Sequence, residues 1–172
     1  MINNKPNGAG NYNGGLYIPK NKDKVLMLNE KGGMYYRSSW EYKTMVWLDN
    51  LEHVRRWGAE CVKIPYQLKK PDKAGILSIS NHTYYPDFYY ELEFDDGQVR
   101  KILLEVKPLK QSVEPKIIEG KRYTKKQLKN LRYDIDEYNR NMSKWTAAIK
   151  WCDNNGAEFR LLTEETLKEM FV

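Results

Sequence analysis

The sequence is poor in cysteine and histidine. Its two cysteines, Cys61 and Cys152, lie far apart and form no Cys-x-x-Cys pair. That excludes the common zinc-ribbon and zinc-finger patterns and makes a reduced, cytosolic setting the default. Cys152 sits at helical spacing among apolar neighbours and reads as a small core residue. The two histidines, His53 and His82, offer no His-Asn-His spacing. No Gly-rich loop runs into Lys-Ser or Lys-Thr, which removes an ATPase of the phosphate-loop kind. No stretch approaches the roughly 20 apolar residues of a membrane span. The opening "MINNKPNGAGNYNGGLY" has no apolar centre of the kind a secretory signal needs. No internal repeat is present.

What remains is a globular chain. Its 172 residues suit one domain, and 41% are hydrophobic, with five Trp and thirteen Tyr to fill a core. The net charge of +6 is unevenly spread. Between Lys107 and Arg132 stand nine basic residues, among them Lys110, Lys121, Arg122, Lys125, Lys126 and Lys129. Only Glu114 and Glu119 oppose them, so this segment alone exceeds the charge of the whole chain. A concentrated excess of this sort is the footprint of a phosphate-backbone binder, and equally of a solvated basic face.

Residues 1–33 are rich in Asn, Gly and Lys without an apolar period and are expected to form a flexible arm. The ordered domain is expected over 34–172. In "RSSWEYKTMVWLDNL", Ser38 is an N-cap with Glu41 three residues on, the capping-box spacing. Trp40, Thr44, Trp47, Leu48 and Leu51 share one helical face. "AECVKIPYQ" reads as a short strand, and 75–81 as a turn or a further strand. Two strands, about 83–94 and 98–107, are joined by Asp95-Asp96-Gly97, which suits a three-residue hairpin loop with Gly in the left-handed conformation. That loop pairs Phe94 with Gln98 and therefore sets Asp87 opposite Glu105 and Glu91 opposite Lys101. Phe88, Tyr90, Leu92, Ile102, Leu104 and Val106 then form one apolar face. Asp87, Glu105 and Lys107 gather at one end of the other. Beyond Pro108 the pattern predicts a basic loop, a helix from about Thr124 to Asn139, a second helix over "SKWTAAIKWCDN" stopped by Asn155-Gly156, a strand "AEFRLLT", and a closing helix capped by Thr163. The order predicts an α/β fold with a mixed β-sheet flanked by helices.

Two carboxylates facing each other across strands repel unless a cation lies between them. Mg²⁺ or Mn²⁺ is the natural occupant, because such hard ions take a few carboxylates and keep positions for water and phosphate. Lys107 lies about 6.6 Å along the strand from Glu105, within reach of a scissile phosphate or attacking water. Each residue also has an ordinary reading: Glu105 and Lys107 as an exposed pair on a sheet, Asp87 as a strand start after Pro86, Glu41 as a capping-box partner.

Pro86-Asp87 and Glu105-Val106-Lys107 resemble the PD-(D/E)XK nuclease superfamily. "YRSSWE", "WGAECVKIPY", "YYPDF", "LLEVKP", "KWTAAIKWC" and "GAEFRLLTEETL" are further similar, in order, to the head completion nucleases of T-even-type tailed bacteriophages. The resemblance covers about residues 35–170. It implies a restriction-endonuclease-like core and a metal-dependent deoxyribonuclease acting on double-stranded DNA as heads are completed. The implied partners are phage head or portal proteins, in the host cytoplasm or the virion, with no membrane. It also implies roles: Asp87 and Glu105 as metal ligands, Glu41 as the acid from the first helix, Lys107 as the catalytic lysine, Gln111 as the glutamine that follows it, and Lys144 as a phosphate contact. Trp145 reads as core and Glu60 as a second candidate acid. Transposon-end endonucleases that cut within a transposase complex share the superfamily pattern. A basic DNA- or capsid-binding structural protein is the reading that expects no metal dependence.

Overall fold

The computed structural model describes residues 14–71 and 75–170. Its centre is a four-stranded mixed sheet in the order β3–β6–β7–β8, made of β3 (Val54–Ala59), β6 (Phe88–Glu93), β7 (Val99–Val106) and β8 (Ala157–Leu162). β3, β6 and β7 are antiparallel neighbours, and β8 runs parallel to β7. A parallel neighbour requires a crossover. Here it is the basic loop and a long helix, α2 (Lys125–Asn155).

The hairpin register is the one that the turn predicts. Phe88 pairs with Leu104 and Glu91 with Lys101. Phe94 and Gly97 close the turn, with the Phe94 N–H donated to the Gln98 carbonyl at 2.9 Å. Gly97 sits at φ 78°, a backbone conformation that L side chains rarely adopt. The even-numbered face of the hairpin joins one core cluster, in which Phe88, Tyr90, Ile102, Leu104 and Val106 meet Met45 and Leu48 of α1 (Ser39–Asn50). The opposite face is covered as well. Leu103 packs there with Ala148 and Cys152 of α2. Glu105 therefore lies in a covered layer rather than on a solvated face, and only 2% of it is exposed.

The local starts and stops follow the expected chemistry. The Ser38 hydroxyl accepts the Glu41 N–H at the head of α1. Thr124 and Gln127 form a reciprocal capping box at the head of α2, which ends at left-handed Gly156. At the closing helix α3 (Glu164–Met170) the cap is inverted: Thr163 donates its N–H to the Thr166 hydroxyl.

Four expectations are corrected. First, the arm expected over 1–33 does not extend over its described part. β1 (Gly15–Tyr17) pairs with β2 (Met34–Tyr36), and Tyr17 and Met34 enter the core. The anchor is Asp49, fully buried at the end of α1. It accepts the Tyr17 hydroxyl at 2.7 Å and the N–H groups of Lys20 and Asn21 at 2.8 and 3.1 Å. Residues 1–13 lie outside the described part. Second, the two expected helices after the basic loop are one helix of 31 residues. No Gly or Pro interrupts 139–143, and Ser143 stays helical with its hydroxyl on the Asn139 carbonyl. Third, "AECVKIPYQ" is not one strand. It spans the end of β3, a bend where Glu60 takes φ 48°, and the start of β4 (Ile64–Pro71). β4 pairs with β5 (Leu77–Tyr84) over eight residue pairs as a separate two-stranded ribbon. Fourth, the strand expected over 83–94 is broken between β5 and β6, because buried Pro86 has no N–H to give a ladder.

Candidate active site

Three strand ends converge on the site. β5 delivers Tyr84, the break after it delivers Asp87, and β7 delivers Glu105 with Lys107 just beyond. The backbone is held at each position. The Asp87 carbonyl accepts the Glu60 N–H at 3.1 Å, and the Lys107 N–H is donated to Leu162 of β8 at 2.9 Å. Side chains then lock one another. Asp87 Oδ2 accepts the Val106 N–H at 2.7 Å. Glu105 Oε2 accepts the Tyr84 hydroxyl at 2.6 Å, and its Oε1 lies 3.3 Å from Lys107 Nζ. Lys144 reaches in from α2 with Nζ 5.5 Å from the centre of the Tyr84 ring.

The electrostatics follow from crowding charge into a covered place. Burial, and then the neighbouring Glu105 carboxylate, push the Asp87 carboxyl up to about 8, against the pull of the Val106 N–H and Lys107. Burial works against the charge on Lys107, but Glu105 and Asp87 outweigh it and raise its pKa, so it stays an ammonium. Lys144 moves the other way. Burial, aided by Lys107 and Arg140, lowers it below the ordinary lysine value despite Glu105. Tyr84 is raised by burial and by Glu105, and so remains a hydrogen-bond donor.

Glu41 stands apart from this pair. Its two carboxylate oxygens are engaged at the head of α1, one by the Arg37 N–H at 2.8 Å and one by the Ser38 hydroxyl at 3.0 Å. Its charge is nevertheless felt at Asp87. Glu60 forms an ion pair with Arg37 at 2.7 Å. Among the described residues no third Asp, Glu, His or Cys joins Asp87 and Glu105 in one cluster. The donor set is thus two hard carboxylates. That is what Mg²⁺ or Mn²⁺ commonly takes from a protein while it keeps water and a substrate phosphate. The residues present therefore fit such an ion.

The remaining candidates are dispersed. Gln111 is exposed in a single turn after β7, and its backbone carbonyl accepts Asn141 Nδ2 at 3.4 Å. It helps line a cavity of about 520 Å³ between this turn and α2. Lys110 pairs with Asp134 at 3.4 Å. Lys121 lies over the Tyr123 ring at 5.2 Å, Arg122 is exposed beside it, and Lys125, Lys126 and Lys129 are exposed on the first turns of α2. Trp145 is buried. Sequence reasoning missed Tyr84. It also expected nothing of Arg56, which takes the Glu91 carboxylate at 3.0 Å across β3 and β6, where the register alone pointed to Lys101.

The TnsA-like endonuclease N terminal family matches residues 51–164, which include Tyr84, Asp87, Glu105, Lys107 and Lys144. The head completion nuclease of Enterobacteria phage T4 is 28% identical over 156 residues, covering 91% of this chain and 94% of that protein. No solved structure matches.

Proposed function

The chain belongs to the TnsA-like endonuclease family, and from that premise we propose that it is an endonuclease that hydrolyses double-stranded DNA with Mg²⁺ or Mn²⁺ held by Asp87 and Glu105. The observation that carries the reading is the two carboxylates and one ammonium brought together at adjoining strand ends, with Lys107 Nζ 3.3 Å from Glu105. Bound there, the ion would supply Lewis-acid polarisation of the scissile phosphate and a more acidic water. The chain's own groups do the rest. Tyr84 fixes one oxygen of Glu105 and the Val106 N–H fixes one of Asp87, so both carboxylates are turned before substrate arrives. The Lys107 ammonium is placed to stabilise charge gathering on the phosphate, or to orient the attacking water. Lys144, already desolvated, is a second cation for a backbone phosphate. Exposed lysines at the head of α2 would hold neighbouring phosphates without reading bases.

The likeness to the T4 head completion nuclease runs nearly end to end in both chains. That favours action at phage heads as packaging finishes, with head or portal proteins as partners, in the host cytoplasm or the virion. Cutting transposon ends beside a transposase is a second reading, which the family match favours. Incubating the purified chain with linear and circular duplex DNA, with Mg²⁺, Mn²⁺ or chelator, tests the proposal. Metal-dependent cutting of both forms supports an endonuclease. No cutting with either metal would contradict it.

A further inference from the structure

The β4–β5 ribbon leaves the body of the protein at the active site, because its last residue is Tyr84, the partner of Glu105. Its two faces differ. Ile64, Tyr66 and Tyr84 of one face pack with Ala148 and Cys152 of α2, and Lys70 is tied to Asp136 of α2 at 2.7 Å. The other face is open to solvent, and its Pro65, Gln67, Lys69 and Asn81 border a cavity of about 620 Å³ together with Met142, Thr146 and Lys150 of α2. This face presents the cross-strand pairs Pro65–Thr83, Gln67–Asn81, Lys69–Ile79 and Pro71–Leu77, every member of them exposed.

The composition of the ribbon identifies its partner. Over residues 63–84 four lysines, Lys63, Lys69, Lys70 and Lys73, stand against one acid, Asp72, and Lys69 is the charged member of the outward pairs, so the ribbon complements a polyanion. The middle of the face is polar, with Gln67 Nε2 donating to Asn81 Oδ1 at 3.3 Å, whereas the centre of a protein-docking patch is typically apolar. Pro65 and Pro71 remove two N–H groups from β4, which disfavours adding a further strand there. Gln and Asn match adenine edges, Lys matches guanine edges, and aliphatic groups such as Leu77 and Ile79 match thymine methyls. The major groove of duplex DNA is wide enough to admit a two-stranded ribbon. We propose that the outward face of this ribbon, centred on Gln67, Lys69 and Asn81, enters the major groove of the duplex beside the cleavage site. The proposal rests on the endonuclease reading and deepens it: the basic segment holds phosphates, and the ribbon senses bases.

Binding of a fluorescent duplex to the full chain, in chelator, tests this. A second duplex carries carbon in place of the major-groove ring nitrogen of its purines, with its phosphates unchanged. The wild type should bind the ordinary duplex about tenfold more tightly, in line with one good base-edge pairing. The combined Gln67→Ala, Lys69→Ala and Asn81→Ala variant should lose that preference and keep the circular-dichroism spectrum of the wild type. Lys69→Gln alone, which preserves the strand, should lose part of it. Wild-type protein that cuts DNA with Mg²⁺ or Mn²⁺ but binds the two duplexes equally overturns the role of the ribbon only. Failure to cut or bind any duplex overturns the endonuclease reading and this proposal with it.

Discussion

Replacing Tyr84 with Phe removes one oxygen atom and leaves the ring in its apolar setting against Ala148 and Cys152 and beneath Lys144. The bond removed is a 2.6 Å hydrogen bond to a carboxylate that is 2% exposed. Hydrogen bonds to charged groups contribute about 1.5–3 kcal/mol, and water cannot easily replace this one. A loss of about 2 kcal/mol in the metal-free protein corresponds to a melting temperature lower by roughly 4–8 °C in a chain of this size. The more telling effect is on the metal. Glu105 would keep Lys107 on Oε1, but Oε2 would no longer be aimed. Partners that aim a ligand typically contribute about 10- to 100-fold in metal affinity. Calorimetric titration with Mn²⁺ should show a weakening of that order, with cleavage largely recovered at saturating Mn²⁺. A lower melting temperature with unchanged Mn²⁺ affinity would refute the claim that Tyr84 positions the ligand.

Three further perturbations probe other parts of the molecule. In chelator, Asp87 favours its protonated form in the fold, with a pKa raised from 3.8 to about 8. Its contribution to stability is full below pH 3.8 and is lost as pH rises through about 8. Melting temperatures measured from pH 5 to 9 should therefore fall less steeply in Asp87→Asn than in the wild type; equal slopes would remove Asp87 as the cause. Asp49→Ala strands three donors from residues 17–21 and should cost about 3 kcal/mol, seen in thermal melts with faster proteolysis near Lys20. Burial resists the Asp49 charge, but the hydrogen bonds from Tyr17, Lys20 and Asn21 win and hold its pKa below the ordinary value, so its contribution is lost only as pH falls through that lowered pKa. Reversing the charges of Lys121, Arg122, Lys125 and Lys126 should flatten the log–log salt dependence of DNA binding by roughly 0.9 for each phosphate no longer neutralised, and an unchanged slope would mean that this segment faces another partner.

The parts of the molecule legible in the sequence are those set by short-range chemistry. A three-residue turn needing a left-handed glycine settled the β6–β7 register, and with it the approach of Asp87 to Glu105. Ser38 and Thr124 announced two helix starts through side chains that reach only three residues ahead. What escaped depends on distant partners. Tyr84 is one of thirteen tyrosines, and its hydroxyl matters only because the fold sets it against a carboxylate 21 positions away. Asp49 carries no local signal of its role, which arises only because the segment from Tyr17 to Asn21 closes over it. β3 and the ribbon were obscured because Arg55, Arg56 and the exposed β5 residues break the expected alternation. The basic loop and the helix start near Thr124 were plain, but nothing local in 139–143 showed that the helix runs on unbroken to Asn155.

In the proposed mechanism Asp87 and Glu105 hold the ion while Lys107 acts on the phosphate or the water. Single-turnover cleavage of a linear duplex at saturating Mn²⁺, compared among wild type, Asp87→Ala, Glu105→Ala and Lys107→Ala, tests it most directly. All three variants should fold and bind DNA, and the two carboxylate variants should fail to cut at any Mn²⁺ concentration that saturates the wild type. Lys107→Ala should still saturate with Mn²⁺ but cut on the order of 100- to 1000-fold more slowly, the usual effect of removing one charged group that stabilises the transition state. Wild-type cleavage rates in all three variants would contradict the account.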